Sequence, residues 1–515
     1  MINGSDIYKK RYLITLVLLS LIYGVVFLSL NILKYKSFFS YECEDDAREN
    51  QVVYNIAASL NPHQTIVISN YFSDHFTPIY FLIALFYRIF PHIYTWYFVM
   101  SFSYGFCSLI VYLLANDILK HKGVAFVVSL SYLLYPALHY VNLGALDGNC
   151  FSLPLLFITL YFLYKQKFIL YAVFVILSCM CKEDIPVIIF LLGMYQLIRK
   201  YPKKWWLSTI LFSGAYFIMA VYISNNFLRV QGFSSDIVNN NFHYLDFITF
   251  KGILLFIFFN PKEAFLFIFT LSHLRVFLMT LSTLFFLPVF SLEMYIPMIM
   301  FGEILINKGF DNVDSYYLAP IIPFFFIALI FTLRRVKSNI RFKNLLPYLV
   351  TAILITCCLN NFGRNIIGLI PVDGEVEIHD HRFLNVRNIF DKRFYIMDEE
   401  DKAAWKLLSI IPKNASVTAS GDLLPALSSR KVLYEFGLNH PKAIRNEYSY
   451  IEYPNYSVDY VLIHKKYMVN GVGGHYAFLE NEYLENEIRQ LVDRHHFSII
   501  EEYGSFILLG SSKDF

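Results

Sequence analysis

Apolar runs of about 20 residues recur between residues 13 and 361, and that length is what one helix needs to cross the hydrocarbon core of a bilayer. Only 16% of the 515 residues are charged, against about 25% in soluble chains, so the runs are not offset by polar faces. The chain therefore reads as a polytopic α-helical membrane protein. Disorder, collagen-like repeats and small disulfide scaffolds are excluded.

The signs of the charges set a topology. Lys9, Lys10 and Arg11 precede the first span, 13–33, and cytoplasmic loops carry the excess of Lys and Arg, so the N-terminus is expected in the cytoplasm. That span is too long for a signal h-region, lacks a small-residue cleavage site and is read as retained. Lys120 and Lys122, Lys165 and Lys167, Arg199 with Lys200, Lys203 and Lys204, and Arg334, Arg335, Lys337, Arg341 and Lys343 are expected on the same side. Glu42, Glu44, Asp45, Asp46, Asp74, Asp147, Glu183, Asp184, Asp236, Asp246, Asp311 and Asp314 are expected on the other. Spans that fit this alternation run near 13–33, 94–116, 123–140, 151–164, 168–181, 185–198, 206–224, one or two between 251 and 306, 316–333 and 345–361. The total is about eleven crossings, within roughly nine to thirteen. Several are short, and need either a thinned bilayer or ends buried in protein.

Two domains are expected: residues 1–361 in the membrane, with a long first outer loop at 34–93, and an extracytoplasmic mixed α/β domain at 362–515. The latter is charged and turn-rich, with helical patterns at 398–408 and 481–494 and strand-like runs at 415–419, 460–463, 497–501 and 505–509. None of the seven cysteines falls in it. Cys43 and Cys150, both expected outside, either pair or remain buried thiols.

Chemistry must come from the outward polar residues. The first outer loop holds YECEDDARENQVVYN and SDHFTPIY. Its crowded acids repel one another and call for a cation: Arg48, a metal ion, or water in its place. Taken alone the segment reads as a solvated acidic loop. It is accompanied, however, by Asp147 in NLGALDGN and by Lys182-Glu183-Asp184 between two apolar segments, and ionisable groups at membrane depth usually line a polar path. The alternative for the latter is a hairpin tip at the headgroups with Lys182 paired to a carboxylate. The picture is an outward-opening cavity lined by Asp45, Asp46, Asp74, His75, Asp147, Glu183 and Asp184. A carboxylate there can take a proton from an acceptor hydroxyl while Lys182, Arg48, Arg364 or a metal neutralises a phosphate.

At these residues the chain resembles the bacterial membrane family labelled domain of unknown function 2079, grouped with the GT-C glycosyltransferases. Asp45, Gln51 and Asn55 match its first-loop pattern D-L-G-I-F-x-Q-x-x-W-N, and Asp74-His75-Phe76 with Pro78 matches D-H-F-x-P. YLLYPAL at 132–138, CKED at 181–184, APIIPF at 319–324 and, later, IPKNASVTAS, LLPALSSRKVLY and VDYVLIH also match, so the likeness covers nearly the whole chain. It departs where Asp46 and Arg48 replace apolar motif members, where Asp147 falls at a histidine position, and where Tyr316-Tyr317 stands for His-Tyr.

The resemblance implies a GT-C-like fold and transfer of a sugar from a polyprenyl-phosphate donor to an envelope glycan, lipid or protein acceptor on the extracytoplasmic face. It implies Asp45, with Asp46 beside it, as base or metal ligand; with the outer polar residues read above, the expected substrate site is Arg48, Gln51, Asn55, Asp74, His75, Asp147, Lys182, Glu183, Asp184, Tyr317 and Arg364. A divalent ion, Mg or Mn, would sit on Asp45, Asp74 and His75. Membrane lipids are expected partners and nucleic acid is not; the expected location is the bacterial inner membrane. A transporter or flippase of a lipid-linked saccharide and a non-catalytic envelope scaffold are the rival classes. Convergence of Asp45, Asp74 and Glu183 at the outer side favours transfer, a midplane site favours transport, and dispersal favours neither.

Overall fold

The structure is a computed structural model that describes residues 4–39, 43–66, 70–226, 259–262, 277–302 except 279 and 299, 316–362, 392–436, 457–478 except 467 and 471–475, and 481–511. Among these, six helices are long and apolar enough to cross a membrane: Arg11–Lys36, Tyr94–Leu119, Lys122–Leu143, Lys203–Ser224, Tyr316–Ser338 and Lys343–Asn361. Gly148–Tyr164, Phe168–Cys179 and Ile185–Ile198 are shorter apolar helices. All nine fall on expected spans. Those expected between 251 and 306 lie largely outside the described residues, as do Asp236, Asp246, Asp311, Asp314 and Arg364.

Helix α1 (Gly4–Lys36) presents Ile14, Leu18, Ile22 and Val25 as an exposed apolar stripe at three- and four-residue spacing. This is a face made for lipid. Its other side packs on α4 (Tyr94–Leu119), where a Cβ on Gly105 would come within 2.6 Å of the Ser20 carbonyl oxygen. Ser20 and Ser108 meet there at 2.7 Å, the small-residue contact that lets membrane helices approach. The chain then runs through α5 (Lys122–Leu133), α6 (Pro136–Leu143), α7 (Ser152–Tyr164), α8 (Phe168–Cys179), α9 (Ile185–Ile198) and α10 (Lys203–Asn226). Helix α11 (Ile322–Ser338) is central, with Phe324, Phe325, Phe326, Leu329 and Ile330 sealed from the surface, and α12 (Leu346–Phe362) follows it.

The basic loops meet at one end. Lys165 pairs with Asp117, Lys337 donates to the Leu119 carbonyl at 2.5 Å, Arg335 to that of Phe290, and Arg199 to Glu293 at 3.0 Å. The acidic residues gather at the opposite end. Between the ends, α8 and α9 have 12 and 14 residues. At 1.5 Å per residue they rise only about 18–21 Å, short of a hydrocarbon core of about 30 Å. The turn joining them is therefore covered by protein.

Residues 34–93 are not an open loop. They fold into α2 (Cys43–Ser59), a 3₁₀ turn at Tyr71–Ser73 and α3 (Tyr80–Tyr87). Glu44, Asp45 and Asp46 occupy the first turn of α2, where carboxylates complement the helix dipole.

The carboxyl-terminal part carries a five-stranded sheet in the order β2-β1-β3-β7-β6. Its strands are β1 (Val417–Ala419), β2 (Leu433–Glu435), β3 (Tyr460–His464), β6 (Phe497–Tyr503) and β7 (Phe506–Ser511). The first three pair in parallel, and β7 is antiparallel to β3 and β6. The β6–β7 hairpin turns at Gly504, whose φ of +58° suits a residue without Cβ. A separate hairpin pairs β4 (Met468–Asn470) with β5 (Tyr476–Phe478). Helix α13 (Glu399–Leu408) opens with a capping box between Asp398 and Asp401, then come α14 (Leu424–Leu427) and α15 (Asn481–Asp493). Alternation splits β3 between two cores, with Val461 and Ile463 packing with α15 residues on one face and Leu462 on the other. That second core includes Ala47 of α2 and Phe38, so the sheet domain rests on the first-loop helix. All seven cysteines are free, Cys43 and Cys150 among them.

Candidate functional site: a buried charge cluster

Four separate stretches of chain supply the charges that meet at the acidic end. From α2, Arg48 donates Nη2 to Asp45 Oδ1 at 2.8 Å and lies 3.4 Å from Glu49 Oε1. Its Nη1 stands 3.8 Å from Asp74 Oδ2, and its guanidinium carbon 5.7 Å above the Tyr71 ring. The 3₁₀ turn at Tyr71–Ser73 is capped by Asn70, whose side chain accepts from the Phe72 amide, and delivers Asp74 and His75 directly after it. His75 Nδ1 is 2.8 Å from Glu183 Oε1, while Oε2 of the same carboxylate accepts the Phe76 amide at 3.0 Å. The Ile79 amide donates to the Met180 carbonyl at 3.0 Å, so this loop is stitched to the α8–α9 turn.

On that turn, Lys182 donates to Asp147 Oδ2 at 2.8 Å, with both side chains at most 3% exposed. Its ammonium also sits 5.1 Å and 5.3 Å from the ring centres of Tyr316 and Tyr317, within cation–π range. Asp147 uses its other oxygen to cap the 3₁₀ turn Gly148–Phe151 through the Asn149 amide. Asn149 in turn donates to Asp184 at 2.9 Å. Gly148 is obligatory here, because a Cβ would meet the Cys181 carbonyl oxygen at 2.3 Å and Thr77 at 2.8 Å. Three loops therefore touch at one point.

Burial shapes the protonation. Glu49 is fully buried and pushed up to about 7 by loss of water, against the pull of Arg48. Tyr71 donates to one of its oxygens at 2.5 Å and Tyr80 to the other. His75 rises to about 9, since Asp74 and Glu183 outweigh burial and the repulsion of Lys182, and it carries a positive charge at neutral pH. Arg48 is held firmly charged: burial opposes this and Asp45, Glu49 and Asp74 override it.

The expected residues fall into four groups. Asp45, Arg48, Asp74, His75, Asp147, Lys182, Glu183, Asp184 and Tyr317 come together, and Asp45, Asp74 and Glu183 are linked through Arg48 and His75. Asp46 lies beside them but is buried with the Leu146 amide on Oδ1 at 2.7 Å, which makes it a loop anchor. Gln51 and Asn55 do other work. Gln51 donates to the Arg430 carbonyl at 3.2 Å and accepts from the Thr65 amide at 2.9 Å, and Asn55 donates to the His63 carbonyl at 2.8 Å. Arg364 lies outside the described residues. Missed in the sequence were Glu49, Tyr71 and Tyr80. A signal existed for Glu49, which stands where D-L-G-I-F has its phenylalanine.

Two expectations about shape change. The cluster is packed, with none of Asp45, Arg48, Glu49, Asp74, His75, Asp147, Lys182 and Glu183 more than 19% exposed at the side chain, because Arg48 and Lys182 fill the space the acids would enclose. A recess of about 400 Å³, lined by Asp117, Lys120, Tyr164, Arg334 and Lys337, lies at the basic end. The suggested metal set does not suit an ion as arranged: Arg48 stands between Asp45 and Asp74, and His75 Nδ1 turns to Glu183. Among the described residues no group of three or more His, Cys, Asp or Glu is placed to hold a metal.

The model of a family described as a predicted membrane protein, DUF2079, matches residues 49–482. Among solved structures, the crystal structure of ArnT from Cupriavidus metallidurans bound to undecaprenyl phosphate is similar with a TM-score of 0.53 at 9% identity, covering 97% of this chain and 98% of that chain. Apo ArnT from the same organism gives a TM-score of 0.48 at 9% identity, over 94% of this chain and 97% of that chain. No curated protein matches the sequence. The likeness to the lipid-bound structure shows a shared fold.

Proposed function

We propose, from the premise that the chain belongs to the DUF2079 family of predicted membrane proteins, that it transfers a sugar from a polyprenyl-phosphate donor to an envelope acceptor. The setting is the bacterial inner membrane, with the basic loops cytoplasmic and the sheet domain, residues 362–515, outside. One observation carries the reading: a compensated set of buried acids and cations, drawn from four stretches of chain, at the end away from the basic loops. The fold shared with a protein crystallised on undecaprenyl phosphate supports a lipid-borne donor.

Asp45 is the base. Its side chain keeps 19% exposure, whereas Asp46 and Glu49 are sealed. Asp45 takes the acceptor hydroxyl proton as the acceptor oxygen bonds to the anomeric carbon from behind. The bond from that carbon to the phosphate oxygen breaks with its electron pair, and polyprenyl phosphate leaves toward protonated His75, with inversion. Glu183 fixes the loop carrying His75, and Lys182 ties the same turn to Asp147. Tyr317 and Asp147 hold Lys182 in turn.

The test is transfer by purified protein from radiolabelled polyprenyl-phosphate sugars to envelope lipids. Asp45→Asn is expected to lower the rate on the order of 10²–10⁴-fold. Equal rates for both proteins, or no transfer by wild type from any donor, would sink the reading.

A further inference from the structure

We infer that Arg48 is the fixed counter-ion of the cluster, standing between Asp45 and Asp74 where a divalent cation would have to bind, so that the protein takes no Mg²⁺ or Mn²⁺ there. That transfer then needs no metal rests on the function proposed above. The exclusion of the ion does not.

The geometry is that of an occupied cation site. One guanidinium nitrogen meets Asp45 Oδ1 at 2.8 Å and the other faces Asp74 Oδ2 at 3.8 Å, so a single planar group addresses carboxylates from two loops. Mg²⁺ demands oxygen ligands at about 2.0–2.1 Å in a near-octahedral shell, which the same two carboxylates cannot supply while the guanidinium lies between them. A doubly charged ion added beside the Arg48 guanidinium would also meet strong repulsion.

Arg48 cannot easily withdraw. Its guanidinium rests over the Tyr71 ring, and the buried Glu49 carboxyl lies 3.4 Å from it on its own helix. Helix α2 is pinned on both sides. Asn50 donates to Ser428 at 2.8 Å, Gln51 to the Arg430 carbonyl, and Asn55 to the His63 carbonyl. The sequence agrees with this assignment. Where the family pattern D-L-G-I-F is apolar at its fourth and fifth places, this chain carries Arg48 and Glu49, a cation together with the acid that holds it.

The test uses Mn²⁺ as probe, read by electron paramagnetic resonance on the full chain in lipid nanodiscs. Wild type is expected to leave Mn²⁺ in its hydrated form, whereas Arg48→Ala gains one bound ion that a further Asp45→Asn or Asp74→Asn removes. Arg48→Gln, which keeps most of the side-chain volume, should behave as Arg48→Ala and serves if the smaller residue unfolds the protein. Wild-type binding that Asp45→Asn abolishes would overturn the inference, and so would failure of both folded Arg48 variants to bind the ion. In a parallel arm, EDTA should leave wild-type transfer unchanged. If no donor supports transfer the functional reading falls, but the Mn²⁺ result still decides the role of Arg48.

Discussion

The two ends of the helical bundle both carry many charges, and they treat them differently. At the basic end each pair keeps at least one partner wet: Lys165 and Asp117 are 36% and 28% exposed at the side chain, and Arg199, over the sealed Glu293, is 39% exposed. At the acidic end Lys182 and Asp147 form a bond of ordinary length at 3% and 2%. Solvated ion pairs contribute little, and buried ones cannot lose a partner without leaving a charge in low dielectric. The first end shows what topology alone asks of charged residues. The second shows charges kept where the fold gains little from them, which is the pattern of a working site.

Mutations should widen this contrast. Lys182→Met strands Asp147 and should lower unfolding stability by about 3–5 kcal/mol in denaturant titrations of the purified protein. A loss as small as that at the basic end would erase the distinction. Next comes pH. Glu49 holds its proton up to about 7, above the ordinary carboxylate range, so between about 4.5 and 7 the folded chain binds a proton that the unfolded chain has released. Stability should therefore fall as pH rises through that window, by on the order of 3 kcal/mol in full, and Glu49→Gln should flatten the fall. His75, raised to about 9, adds stability that is complete below about 6.5 and is lost as pH climbs to about 9, a second decline that Glu49→Gln leaves in place. Gly148→Ala forces a Cβ against the Cys181 carbonyl and should cost about 1–3 kcal/mol by the same titration. The smallest effect is expected from Lys165→Met at the basic end, no more than about 1 kcal/mol.

Much of the bundle could be read in advance because a span is written in one continuous run of residues. Nine apolar segments told where helices lie, and the helical pattern at 398–408 and four strands of the sheet were equally local. What escaped was whatever depends on partners far away in sequence. Helix α2 is polar overall and becomes stable by packing on α3 and α14, so its 17 residues looked like a solvated loop. Strand β2 has only three residues and exists because β1 pairs with it. In the cluster, Asp74, His75, Lys182 and Glu183 stood out as ionisable groups beside apolar segments. Gln51 and Asn55 stood out too, yet their amides serve the joint with the sheet domain and a neighbouring turn. Tyr71 and Tyr80 gave no warning, since two tyrosines among 39 mean nothing until both hydroxyls are seen on one carboxyl.

Helix α2 has a mechanical meaning beyond its chemistry. Asp45, Arg48 and Glu49 share a stiff rod with Asn50 and Gln51, and the latter two are bolted to the segment 428–431 of the sheet domain. Any torque on that domain is passed through these bonds to the helix that carries Arg48. Hydrogen exchange at the α2 amides would register the load.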